Sequence, residues 1–287
     1  MTVNEKIAKI RERMTENHID AVIVPSADPH MSEYYSEHWK TRAWLSGFTG
    51  SAGSFVITQS VAGLWTDGRY YVQAEKQLSG SEGVLFKMNE PETPKIHEYL
   101  AKELPENAVV GINGQLFSVA YVKEMQKAFK KKNIQIDNQI DYANDLWEDR
   151  PAESATAVYN LPVKYAGKSA QQKIEELRSK LEAAGAEAIF VNALDGIAWL
   201  YNIRANDVAC TPVAVAYAYV SKENAILFTN TARVDADVLR VLSENGITMR
   251  PYEDVFEYAA NIKHQQVVLC DERELNFSLH HTLTNNS

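Results

Sequence analysis

At 287 residues the chain is long for one domain and comfortable for two, and 45% hydrophobic with 23% charged residues is the balance of an ordinary globular protein rather than a disordered one. Its 29 basic and 38 acidic side chains give a formal charge of −9, and the densest basic run, 127–132, is short; nucleic acid is excluded as an expected partner, because binding it rests on a basic face that neutralises phosphates. No apolar run approaches the roughly 18 to 20 residues needed to cross a bilayer, and the opening M-T-V-N-E-K-I-A-K-I lacks a signal-peptide core, so a cytoplasmic protein without membrane association is expected.

Thr2 and Glu5 make a T-x-x-E capping box ahead of Ile7, Ile10 and Met14, which recur on one helical face. The run A-V-I-V-P then reads as a buried strand ended by Pro25, and Asp28-Pro29-His30 as a loop. Residues 46–53 hold Gly47, Gly50 and Gly53 among Ser and Thr, a composition suited to positive φ or to close approach of another surface. A hairpin of Ser54–Thr58 and Ala62–Thr66 follows, and Asp67-Gly68 turns the chain out of it. Arg69 then stands at the start of a helix-like segment in which Tyr70, Ala74 and Gln77 keep helical spacing. A cation at a helix N-terminus opposes the macrodipole, so Arg69 needs a partner. Either it pairs with Asp67 and closes the turn, or the glycine loop and strand end present it as a planar cation to a carboxylate or carbonyl from outside the domain. The two readings are compatible.

Further along, 84–87, 109–112 and 134–136 read as strands and 94–103 and 119–129 as helices, an alternation that indicates an α/β layer structure. Residues 146–162 carry Trp147, Arg150, Pro151 and Pro162 with little periodicity, which places a domain boundary there. The second half opens on S-x-x-Q at Ser169, with Ile174, Leu177 and Leu181 on one face and Gly185 as the stop. A-I-F-V is the next strand, Asp195 opens a short helix holding Trp199 and Leu200, and 213–220 with 225–228 form a hairpin. Ala188 lies 167 positions after Ala21, and Asp195 lies 167 after Asp28. A Trp-Leu pair, a hairpin and a helix come next in each half, so the chain reads as two copies of one α/β domain, with Asp28 matched to Asp195 and Trp44 to Trp199. The second copy has no glycine loop, and it reads L-F-T-N-T-A-R-V where the first reads L-W-T-D-G-R-Y. The specialised surface therefore belongs to the first copy.

Other chemistry is not supported by the spacing. Cys210 and Cys270 stand singly in apolar runs and read as buried free thiols. There is no H-E-x-x-H, and His280-His281 adjoin no carboxylates at ligand spacing, so they read as exposed polar residues. The glycine loop lacks the G-K-[ST] ending of a phosphate loop, and Ser51 in G-S-A-G is not a G-x-S-x-G nucleophile.

S-G-F-T-G-S-A-G followed by L-W-T-D-G-R-Y resembles the N-terminal domain of Xaa-Pro aminopeptidases (aminopeptidase P) of the creatinase and prolidase superfamily, as do P-S-A-D-P-H-M-S-E-Y, D-L-W-E-D-R-P and L-D-G-I-A-W-L-Y-N-I-R, in order. The resemblance implies two tandem creatinase N-terminal-like domains with a ribonuclease H-like motif, each a mixed sheet flanked by helices, over 1–150 and 160–287. It further implies a parent metalloaminopeptidase, a homodimer, that removes the residue before proline from the N-terminus of peptides. Two divalent metal ions, expected to be manganese, would be held by two Asp, one His and two Glu in a C-terminal pita-bread domain beyond Ser287. No catalytic or metal-binding residue is then expected in this chain. By the same resemblance Arg69 contacts the bound peptide, Asp67 orients it, and His30 lies near the same face in a supporting role. The alternative is a binding module, like the histone chaperones that reuse this architecture without its chemistry.

Overall fold

The Thr2 hydroxyl accepts from the Glu5 amide, and the Glu5 carboxylate accepts from the Thr2 amide at 2.7 Å; helix α1 (Val3–Glu16) starts on this reciprocal cap and buries Ile7, Ile10 and Met14. The computed structural model describes residues 1–263 and 265–285. These form two units, one of Met1–Asp28 with Glu37–Ala152 and the other of Pro29–Ser36 with Glu153–Ser287. The second unit is thus discontinuous in sequence, a feature with no local signal, because the contacts that draw Pro29–Ser36 into it come from residues more than 160 positions away.

In the first unit α1 leads into β1 (Ala21–Pro25), then α2 (Thr41–Ser46), β2 (Ser54–Thr58), β3 (Ala62–Thr66), α3 (Tyr71–Leu78), β4 (Gly83–Lys87), α4 (Ile96–Glu103), β5 (Val109–Ile112), α5 (Val119–Phe129), β6 (Gln135–Asp137) and α6 (Tyr142–Leu146). The six strands form one mixed sheet in the order β4-β3-β2-β1-β5-β6, antiparallel at β1-β2 and β2-β3 and parallel elsewhere. Alternation along β3 explains the two covered faces: Leu64 joins Ile7, Ile10, Leu45 and Leu146 in one core, while Trp65 stacks on Phe86 and leans on Tyr99 of α4.

The second unit contains β7 (Tyr159–Asn160), α7 (Val163–Ala166), α8 (Ala170–Ala183), β8 (Ala188–Val191), α9 (Leu194–Tyr201), β9 (Ile203–Arg204), β10 (Ala216–Ser221), β11 (Ala225–Thr229), α10 (Ala236–Glu244), β12 (Thr248–Arg250), α11 (Asp254–Ala260), β13 (Val268–Leu269) and α12 (Phe277–Thr284). Its main sheet runs β12-β11-β10-β8-β13, and β7 pairs with β9 apart from it. Ala218, Val220 and Leu227 pack with α8 and α10 on one face, and Tyr217, Tyr219 and Phe228 meet Tyr252, Phe256 and Tyr258 on the other.

Each strand of the second sheet has a counterpart in the first, with the same neighbours and the same directions. The chain is two copies of one mixed α/β arrangement, each sheet flanked by helices. Side-chain contacts repeat as well. Arg11 Nε donates to the Thr58 carbonyl at 2.9 Å, and Arg178, 167 positions later, donates to that of Ser221 at 2.8 Å. Lys6 donates to the Trp44 carbonyl at 2.5 Å and lies 4.6 Å from that ring's centroid; Lys173, again 167 positions later, does the same to Trp199 at 2.7 and 4.5 Å. Burial in each case pushes the ammonium pKa below its ordinary value.

Two expectations need correction. Asp28 and Asp195 are not equivalent: a long connection, 26–40, separates β1 from α2, whereas only 192–193 separate β8 from α9, so Asp28 is buried in a loop and Asp195 is exposed on a first helical turn. The common offset holds only as far as the strand. The cysteines are not buried, since Cys210 sits exposed in a turn at φ 61° and Cys270 is half-buried just past the short strand β13.

Lys173 also donates to Asn202 Oδ1 at 2.6 Å, so it satisfies two acceptors from a buried position. Lys173→Met, which keeps the stem but strands both acceptors, is expected to lower stability by about 1.5–3 kcal/mol in urea unfolding; a loss within error would mean that water replaces the ammonium.

Candidate functional site

The glycine loop hangs on an arginine, Arg42, that no sequence motif marks. Arg42, on α2, is buried, and its guanidinium donates to the carbonyls of Phe48 and Gly50 while Nε reaches the Ser26 hydroxyl at 3.0 Å. Its Cζ lies 4.8 Å from the Phe48 ring centroid. A buried guanidinium is costly unless its donors are used, and here they draw the loop's backbone inward around them. Gly50 is required by close approach: a Cβ there would stand 2.2 Å from Phe48 Cζ and 2.8 Å from Tyr70 Cδ1. Gly53, at φ +153°, brings the loop back to β1, where its carbonyl accepts from the Ser26 amide at 2.9 Å.

Beyond the loop, β3 ends at Thr66 and Asp67 organises the turn. Its carboxylate accepts from the Arg69 amide at 3.1 Å, from Arg69 Nε at 2.9 Å and from Arg69 Nη2 at 2.8 Å. The guanidinium therefore meets the carboxylate side-on in a two-pronged contact. These hydrogen bonds from the Arg69 side chain, and then from its amide, hold the Asp67 carboxyl below the usual carboxylate range. The Arg69 side chain is nevertheless 68% exposed. Under it lies the Tyr70 ring, 5.2 Å from Cζ, with the Tyr70 hydroxyl 2.7 Å from Ser51 Oγ and the Phe48 ring set T-shaped to it at 5.8 Å. Thr49, Gln73 and Gln77 add a small network of exposed amide contacts between the loop and α3. Helix α3 begins only at Tyr71, so Arg69 belongs to the turn and its partner is the carboxylate two residues back.

The corresponding turn of the second unit does the opposite. Asn230 stands where Asp67 does and caps a short 3-10 turn, and Arg233 folds inward, paired with buried Asp207 and donating to the Val215 carbonyl at 2.7 Å and to Thr229 Oγ1 at 2.8 Å. Asp207 additionally accepts from Thr156 Oγ1 and the Val215 amide, both at 2.7 Å. This is a structural ion pair, satisfied on all sides but one, the Arg233 Nε. Neither Arg42 nor the Asp207–Arg233 pair carries a sequence signal, since their partners are backbone carbonyls or distant residues.

The sequence-expected site residues thus fall in two places. Asp67 and Arg69 are together in the first unit, while His30 belongs to the second, buried, with Nδ1 2.8 Å from the Asn192 carbonyl, Nε2 2.8 Å from the Tyr252 hydroxyl and its ring 4.5 Å from that of Tyr217. His280 and His281 are half-buried on α12, where both rings lie against Phe277, rather than exposed. Among the described residues no group of three His, Cys, Asp or Glu side chains could hold a metal ion. The donor set of a di-metal hydrolase is therefore not offered by the described residues.

Because folding lowers the Asp67 pKa, the turn's contribution to stability is present above the unfolded-chain value and lost as pH falls through the folded one. Followed by NMR, the Asp67 carboxyl carbon is expected to titrate below ordinary aspartates and to move up in Arg69→Ala. A midpoint that the substitution leaves in place would contradict the contact.

Two family profiles, both described as the creatinase/prolidase N-terminal domain, match residues 6–143 and 149–287. Aminopeptidase P2 of Arabidopsis thaliana is 38% identical over 262 residues, 90% of this chain and 37% of the relative. A probable Xaa-Pro aminopeptidase P of Laccaria bicolor is 40% identical over 264 residues, 90% of this chain and 40% of the relative. The crystal structure of the X-prolyl aminopeptidase of Caenorhabditis elegans, described as a cytosolic enzyme with a di-nuclear active site, superimposes with a TM-score of 0.91 at 29% identity, covering 97% of this chain and 48% of that one. The chain spans less than half the length of these relatives.

Proposed function

The chain belongs to the creatinase/prolidase N-terminal domain family, and from that premise we propose that it is the non-catalytic N-terminal part of a metal-dependent aminopeptidase, one that removes the first residue from peptides with proline second. In this reading the enzyme is a cytoplasmic homodimer, and its two divalent ions, manganese in our reading, are bound outside these residues. They would supply an activated water for hydrolysis. The residues of this chain shape the peptide site.

The observation that carries the proposal is the outward guanidinium of Arg69. In a doubled fold whose second copy buries the arginine of the same turn, the first copy fixes its arginine by carboxylate, ring and glycine loop, yet keeps it 68% exposed. Such a planar cation suits a peptide carbonyl or carboxylate. The bond before proline is a tertiary amide whose ring fixes the backbone and whose isomers exchange slowly, so holding the peptide in reactive geometry is a large part of the task. Asp67 keeps the guanidinium oriented. His30 is assigned a supporting part, the anchoring of Pro29–Ser36 through Asn192 and Tyr252, without contact to substrate.

In the full-length enzyme, Arg69→Ala is expected to lower kcat/KM by about 10- to 150-fold, the worth of one charge-assisted hydrogen bond, with metal content unchanged. Arg69→Lys is expected to recover part of that loss, because a point charge does not reproduce a two-pronged contact. Unaltered kinetics with a lowered melting temperature would remove Arg69 from the site and leave it as a turn closure worth about 1 kcal/mol or less.

A further inference from the structure

The two copies also differ in how one sheet edge and one tryptophan are covered. In the first unit the outer face of Trp44 is covered by Trp147, stacked at 5.2 Å and 12°. Trp199, its counterpart on α9, keeps the lysine beneath it but is 55% exposed. In the first sheet β5 carries β6 on its outer edge, Val110 opposite Ile136, whereas β13 pairs only with β8 among the described residues. Beside that edge Val267 is 55% and Leu269 is 44% exposed. In the first unit the residue in register with Leu269 is Gly111, and Ile140, from the segment that follows β6, lies over it. The unpartnered edge, the bare tryptophan and the exposed leucine all lie where the first unit has the stretch 135–147.

The repeat also says where a counterpart of that stretch would fall. Val110 and Val268 occupy the same register against Ala21 and Ala188, and Ser118 and Asn276 cap the helices that follow, α5 and α12; both pairs are 158 positions apart. By that offset the counterparts of β6 and Trp147 lie at about 293–295 and about 305, past residue 287.

We infer that β13 and Trp199 form the docking surface for the polypeptide that follows residue 287, which adds a sixth, parallel strand beside β13 and lays an aromatic side chain on Trp199. This rests on the reading of the chain as the front part of a longer enzyme. An open strand edge beside exposed apolar side chains is a surface that proteins cover, and a parallel partner arriving through a helix, here α12, is the connection such an edge requires. The occupant is a strand and a short helix of the same chain. A second copy of residues 1–287 is the competing occupant.

The test compares residues 1–287 with the full-length protein. The emission of Trp199, taken as the difference between wild type and Trp199→Phe, is expected to be red-shifted and readily quenched by acrylamide in the short form. In the full-length protein it is expected to be blue-shifted and several-fold less quenched. Hydrogen exchange on the wild-type forms gives an independent readout, with slower exchange at 267–270 in the longer one. Equal quenching and equal exchange in the two forms would overturn the inference. So would protection of Trp199 in the short form that disappears on dilution, since that assigns the surface to a second copy. Neither readout depends on catalysis: a full-length protein that protects Trp199 but hydrolyses no Xaa-Pro peptide would refute the proposed function and leave this surface standing.

Discussion

A buried cation bonded to backbone carbonyls is the interaction on which the first unit's exposed chemistry depends. Arg42 gathers the Phe48 and Gly50 carbonyls and the Ser26 hydroxyl, and so fixes from within a loop in which Gly47, Gly50 and Gly53 carry no side chain. That loop supports Phe48 and Ser51, these support Tyr70, and Tyr70 lies under Arg69. Orientation of a flexible exposed side chain is costly in rotamer entropy. Here much of that cost is met in advance by a ring on one side and a two-pronged carboxylate on the other.

The same device, a cation donating to carbonyls, recurs with different outcomes. Lys6 and Lys173 tie the first helix of each unit to the helix that carries a tryptophan, and Arg11 and Arg178 tie it to the end of the hairpin's first strand. These contacts are common to both copies because they hold the layers together. The turn after the hairpin is one place where the copies diverge: one folds its arginine into the interior, with Asp207, and the other holds it outward on Asp67. A doubled fold can do this because the two copies hold their layers by the same contacts, so the turn of one can point its arginine outward while that of the other turns inward. His30 illustrates the same economy, since the segment that carries it is packed into the second unit between Asn192, Tyr217 and Tyr252.

Much was legible in the residues alone. Capping boxes at Thr2 and Ser169, the apolar period of α1, the hairpins and the helix α5 are written in local patterns, because each depends on neighbours within a few positions. The doubling was legible from a shared offset, and the Asp67–Arg69 pair from two residues separated by a single glycine. Less legible were the short strands β12 and β13 and the helices after Thr229, whose pattern is weak and whose identity comes from pairing with β11 and β8.

What the sequence by itself determined is the α/β class, the repeat and the presence of a specialised turn in the first copy, all properties carried by short-range spacing. Tertiary structure alone decided that Arg42 lies inside, that Arg233 folds onto Asp207, that Pro29–Ser36 joins the second unit, and that Trp199 is bare where Trp44 is covered. In each of these the partner is a backbone carbonyl, which has no letter of its own, or a side chain far away along the chain, whose distance in sequence says nothing of its distance in space.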